Sequence, residues 1–201
     1  MKSPATADYR ICFVGDSFVQ GAGDPLCLGW VGRLAQHAIV SGIALTHYNL
    51  GIRRDTSRDI AARWLQECTP RLPDSSENRL VFSFGVNDTV MENGQRRIPE
   101  EESVENFCAI LEKAAARFPF LVIGPPPLPD DAHNIRIEAL DHRFALAAAT
   151  RGIPYLSVFE PLKTDEHWLT EAGDNDGAHP HRLGYDRLAA LVHAWDRWWF
   201  T

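Results

Sequence analysis

The chain has 201 residues, 45% of them hydrophobic and 23% charged, which is the composition of an ordinary globular protein with enough length to bury a core unaided. Twenty basic residues against 27 acidic ones leave a net charge of −7 and no basic stripe, so nucleic acid is excluded as the main partner. No stretch of about eighteen apolar residues is present to span a membrane, and the polar Met1–Asp8 segment lacks the apolar centre of a secretory signal, so a cytoplasmic location is expected.

In chain order, the first apolar run is Arg10–Gly15, which holds Cys12 and is followed by Gly15-Asp16-Ser17. Weaker helical patterning begins after Gly29 with Trp30, Leu34 and Ala38. A second strand-length run, Ala44–Leu50, leads to Gly51 and the basic pair Arg53-Arg54. Thr56-Ser-Arg-Asp59 has the spacing of a capping box and opens a helical stripe through Ile60, Trp64, Leu65 and Cys68. The third run, Leu80–Gly85, is followed by Val86-Asn87-Asp88. Val104, Phe107, Cys108, Leu111, Ala115 and Phe118 form the clearest helical stripe. After it come the run Phe120–Gly124, a Pro-rich loop at 124–129, and a stripe through Ile137, Leu140, Phe144 and Ala148. The last run is Ile153–Val158, and a stripe of Leu188, Leu191, Val192, Trp195 and Trp199 is expected to form a terminal helix.

Runs that are apolar on both faces suit a parallel sheet covered on both sides. Five strands alternating with five helices predict a three-layer α/β/α sandwich in one domain over 1–201, with a five-stranded parallel sheet in the flavodoxin-like order 2-1-3-4-5. Cys12, Cys27, Cys68 and Cys108 show no paired spacing and read as small hydrophobes.

Ligands of such a sheet bind at the carboxyl ends of its strands. The residues delivered there are Ser17, Gly51, Asn87 and the pair Asp176 and His179. A serine hydroxyl needs a neighbouring base to become a nucleophile, and imidazole titrates near working pH. Asp176 stands three residues before His179 and can hold the second ring nitrogen from within one loop. The Ser17 and Gly51 backbone N–H groups and the Asn87 carboxamide are candidate oxyanion donors, each worth about 3 kcal/mol of barrier. Taken singly, Ser17 also fits a helix N-cap, and Asn87-Asp88 and Asp176-Gly177 fit turns. His181 is the nearest rival to His179, although the register to Asp176 favours 179. Arg53, Arg54 and Trp168 are candidate substrate contacts; Arg53 and Arg54 also read as solvated loop charges, and Trp168, placed in the loop that leads to Asp176, also reads, like Trp30, as core.

Gly15-Asp16-Ser17-Phe18, Gly51, Gly85-x-Asn87-Asp88 and Asp176-x-x-His179-Pro180 together resemble the GDSL-type, or SGNH, hydrolases over positions 13 to about 186. The first block has Phe18 where the family name has Leu. The resemblance implies a flavodoxin-like sandwich and hydrolysis of acyl esters of small soluble substrates, without metal or other cofactor. It makes Ser17 the nucleophile, Asp176 and His179 its partners, and Ser17, Gly51 and Asn87 the oxyanion hole. A metal-dependent phosphoesterase built on Asp16, Asn87, Asp88 and His179 is a second reading, weakened by the lack of a D-x-H opening. A flavin or nucleotide binder is a third, though the first turn has neither G-x-G-x-x-G nor a P-loop. Acyl length, leaving group and oligomeric state are not written in the sequence.

Overall fold

A computed structural model describes residues 7–200. The expectation of a leaderless N-terminus rests mainly on residues 1–6 and lies outside the described residues. Along the chain the elements are β1 (Tyr9–Gly15), α1 (Ser17–Gln20), α2 (Gly29–Val40), β2 (Leu45–Gly51), α3 (Ser57–Cys68) and β3 (Glu77–Ser83). A hairpin of β4 (Met91–Glu92) and β5 (Gln95–Arg96) precedes α4 (Glu100–Ala115), β6 (Phe120–Ile123) and α5 (Asp131–Ala149). The chain then forms β7 (Tyr155–Leu156), α6 (Phe159–Lys163), α7 (Glu166–Asp174) and α8 (Arg182–Ala194).

Five strands make one sheet in the order β2-β1-β3-β6-β7, and every pairing in it is parallel. Counted along the chain without the hairpin, this is the expected order 2-1-3-4-5. Alternation along β1 divides the core into two layers. Ile11 and Phe13 join Trp30 and Leu34 of α2, Trp168 of α7 and Val192 of α8. Cys12 and Val14 join Ile60 and Trp64 of α3, Phe107 of α4 and Phe144 of α5 on the other face. Helices therefore cover both faces, as runs apolar on each side require.

Local details follow the sequence expectations at some points and depart from them at others. The capping box forms: the Thr56 side chain accepts from the Asp59 N–H while the Asp59 carboxylate accepts from the Thr56 N–H at 2.9 Å. The last strand is shorter than the run 153–158: it is an edge strand that pairs with β6 alone, in the register Val122–Tyr155 and Ile123–Leu156. The terminal stripe does not continue as a helix to Trp199. α8 ends at Ala194, Trp195 turns extended, and Trp198 and Phe200 fold back against Phe13 and Tyr9. Burial of those aromatic rings outweighs the helical periodicity that carries on past the end of α8. Cys12 and Cys68 are buried, whereas Cys27 is exposed rather than packed; all four thiols are free. Among the described residues no helix is long and apolar enough to cross a membrane.

Candidate active site

β1 delivers its last residue, Gly15, into a tight fit: a Cβ there would stand 2.0 Å from the Ser83 carbonyl oxygen of β3. The chain then enters α1, and Asp16 rather than Ser17 is the N-cap, its Oδ1 accepting from the Phe18 N–H at 3.0 Å. Ser17 is thus the first helical residue, 5% exposed, at the positive end of a very short helix.

Far along the chain, the loop between α7 and α8 brings His179 to it. His179 Nε2 lies 2.7 Å from Ser17 Oγ, and its Nδ1 lies 2.7 Å from Asp176 Oδ2. The other carboxylate oxygen of Asp176 accepts from the Ala178 and His179 N–H groups at 3.1 and 2.8 Å, so one loop fixes both residues. Burial pushes the Asp176 carboxyl up, but the backbone and ring hydrogen bonds from His179 outweigh it and hold the group below the ordinary carboxylate range. The imidazole is 7% exposed and packs on the Phe18 ring at 4.9 Å between centroids. His181, the rival by sequence, turns its Nδ1 to the Gly23 carbonyl at 2.7 Å.

Asn87 sits in a 3-10 turn, Val86–Thr89, just past β3. Its Nδ2 donates to the Asp55 carbonyl at 3.0 Å and makes a long 3.4 Å contact with Asp16 Oδ2, leaving one hydrogen firmly held and one loosely held. Asp88 braces the same turn, as its sequence context suggests: its buried carboxylate accepts from the Ser57 N–H at 2.7 Å. Burial, with the neighbouring Asp88 and Asp55 charges adding to it, pushes Asp16 up to about 7 against the Phe18 hydrogen bond.

Gly51 does not occupy the place the sequence reading gives it. Its N–H donates to Asn49 Oδ1 at 3.0 Å, so the donor is already engaged. A Cβ at 51 would stand 2.1 Å from the Gln20 amide nitrogen and 2.7 Å from the Asp16 carbonyl oxygen. The close pass of β2 against the backbone of α1 is enough to require glycine there. Two and three residues on, Arg53 and Arg54 do line the cleft. Arg54 has a left-handed backbone, φ 69°, and its N–H finds no acceptor among the described residues.

The cleft at Ser17 has a volume of about 210 Å³, with Phe18, Val86, Val90 and Leu128 as its apolar walls. Trp168 is not one of them. The sequence reading puts it in a loop, but it lies on α7, is 0% exposed, donates from Nε1 to the Pro127 carbonyl at 2.9 Å, and stacks beneath Phe18. It supports the wall from behind. Trp30 is likewise core, edge-on to Phe13.

Two contributors escaped the sequence reading. His133 lines the cleft from the first turn of α5, its Nε2 2.8 Å from Thr89 Oγ1. Arg63 of α3 donates from Nη2 to the Gly15 and Leu50 carbonyls at 2.9 and 3.0 Å and from Nε to Asp55 Oδ2 at 2.6 Å. It ties the ends of β1 and β2 to the loop that holds Asn87. The only sequence trace of it is the Arg63–Glu67 helical pair, which has many innocent counterparts.

The metal reading fares poorly on donor geometry. Asp16 and Asp88 each spend an oxygen on a backbone N–H, and among the described residues no group of three or more His, Cys, Asp or Glu side chains is placed to hold an ion.

A family model described as the GDSL-like lipase/acylhydrolase family matches residues 13–187. No curated protein matches the chain. Among solved structures, a lipase/acylhydrolase from Enterococcus faecalis is 23% identical, with a TM-score of 0.73 over 92% of this chain and 93% of its own. An alpha/beta hydrolase enzyme from the metagenome of Lake Arreo is 20% identical, with a TM-score of 0.75 over 94% and 95%. An acetylxylan esterase from Geobacillus stearothermophilus is 17% identical, with a TM-score of 0.75 over 94% of each chain. At these identities the likeness is one of fold.

Proposed function

The chain belongs to the GDSL-like lipase/acylhydrolase family, and from that premise we propose that it is a serine hydrolase that cleaves carboxylic esters of small substrates through an acyl-enzyme, the chain acting as a single domain. The observation that carries the reading is the unbroken relay from Ser17 Oγ through the imidazole of His179 to Asp176, with 2.7 Å at each step. Ser17 Oγ attacks the ester carbonyl carbon while its proton passes to His179 Nε2. Asp176, accepting at Nδ1, holds the ring in the tautomer whose Nε2 is free to take that proton and stabilises the imidazolium that results.

The carbonyl oxygen becomes an oxyanion. Its proposed donors are the Ser17 N–H at the helix N-terminus, the loosely held Nδ2 hydrogen of Asn87, and the unpaired N–H of Arg54 in the place first assigned to Gly51. Collapse of the tetrahedral adduct breaks the ester C–O bond, and the imidazolium gives its proton to the departing alcohol. Water, deprotonated by the same imidazole, then attacks the acyl-serine and releases the acid. The small volume of the cleft and its apolar walls, Phe18, Val86, Val90 and Leu128, favour short acyl chains over long ones.

Ser17→Ala is expected to abolish both ester turnover and labelling by a fluorophosphonate probe. The panel should run from acetyl to palmitoyl esters and include acetylated sugars, the class named for the acetylxylan esterase of like fold. A Ser17→Ala protein that retains wild-type turnover ends this reading.

A further inference from the structure

The cleft beside Ser17 is lined by charge of one sign. Among the described residues its titratable side chains are Arg53, Arg54, His133 and His179, with no carboxylate, although the chain as a whole has a net charge of −7. Most of these groups are spoken for. Arg54 pairs with Glu92 at 3.0 Å, His133 rests on Thr89, and His179 serves Ser17.

Arg53 is the exception. Its guanidinium makes no hydrogen bond among the described residues, and its side chain is 59% exposed. Its one ion pair among the described residues is a long one, to Asp176 Oδ2 at 3.9 Å, an oxygen that already accepts from the His179 ring. A planar fork of five donors, held at a cleft rim with no acceptor in hydrogen-bonding contact, matches a carboxylate or a phosphate. Its position also selects which half of an ester it meets. Arg53 stands beside the carboxylate that orients the imidazole, and the imidazole delivers its proton to the leaving oxygen. Phe18, Val86, Val90 and Leu128 leave the remaining volume apolar and small, which suits a short acyl group.

The geometry points to a substrate in which a short acyl group esterifies an alcohol that carries a carboxylate or phosphate, with Arg53 binding that anion. This rests on the serine ester-hydrolase reading above. Arg53 is then the residue that sets specificity for the alcohol.

The test is a matched set of acetyl esters at low ionic strength: 4-acetoxybenzoate, 4-acetoxyphenyl phosphate and neutral methyl 4-acetoxybenzoate. The ratio of kcat/KM for an anionic ester to that for the neutral one is expected to be about tenfold in favour of the anion and to fall with added salt. The two anionic arms tell carboxylate from phosphate. Arg53→Gln should bring the ratio to about one, Arg53→Glu should invert it, and Arg53→Lys should keep part of it. A role for Arg53 in merely bracing Asp176 would lower both rates alike and leave the ratio where it was, which overturns the proposal. So does a wild-type protein with no preference for either anion. Failure of the underlying reading looks different: no ester in the set is turned over, or Ser17→Ala turns them over as well as wild type. The anion contact is read separately by calorimetric titration of 4-acetoxybenzoate into the Ser17→Ala protein with and without Arg53→Gln. About tenfold weaker binding in the double variant is expected, and equal affinity overturns the inference.

Discussion

Asp16, the cap of the helix that carries Ser17, couples the stability of the fold to pH. In the folded protein it holds its proton up to about 7, while an unfolded chain releases it near the ordinary aspartate value of about 4. Between those values unfolding releases a proton, so raising the pH favours unfolding, by about 1.4 kcal/mol per unit and up to roughly 4 kcal/mol once the window is crossed. Asp16→Asn keeps an Oδ1 to accept from Phe18 and removes the charge. Denaturant titrations from pH 4 to 8 should show wild-type stability falling relative to Asp16→Asn, and parallel curves would refute the assignment. At Gly51 the 2.1 Å approach to Gln20 predicts that Gly51→Ala displaces α1, lowering the melting temperature by several degrees and, with Ser17 carried on that helix, the turnover too. Nothing in the sequence could have told this packing constraint from a contact with substrate, because a glycine records the absence of a side chain and not which neighbour required it. The Ser17, His179 and Asp176 constellation was legible for the opposite reason: each has a chemical identity that few other roles demand at that spacing.

Whole elements were read best where both faces of a strand are buried. β1, β3 and β6 appear in the sequence as apolar runs because helices cover each side of them. α3 was legible from its cap. Replacing Thr56 by Ala removes the acceptor for the Asp59 N–H at a buried position and is expected to cost about 1 kcal/mol, measurable as a shift in the denaturant midpoint. α7 was missed because its nine residues bury only Trp168 and Ala172, too few for a periodicity to show. That omission placed Trp168 in a loop and made a supporting residue look like a contact. α1, at four residues, is shorter than any stripe can reveal and is fixed by the Asp16 cap and the left-handed Gly21 that closes it.

At the scale of the whole molecule, the order of strands followed from right-handed crossovers and short connections, and the structure has it as expected. The chain's closing segment did not follow from any local rule. Its aromatic spacing continues that of α8, yet Trp198 leaves the helix to pack on Phe13 and joins Phe200, which meets Tyr9 at the start of β1. Trp198→Ala empties a site that is 5% exposed and is expected to cost roughly 3 kcal/mol. An unchanged melting curve would show that the segment contributes nothing to stability. The separation of 162 residues between the hydroxyl of Ser17 and the ring of His179 has a consequence for biosynthesis. A ribosome-bound chain can lay down all five sheet strands before residue 179 is made. On the proposed mechanism, a product cut short of that residue therefore carries the nucleophile without its base and is inert.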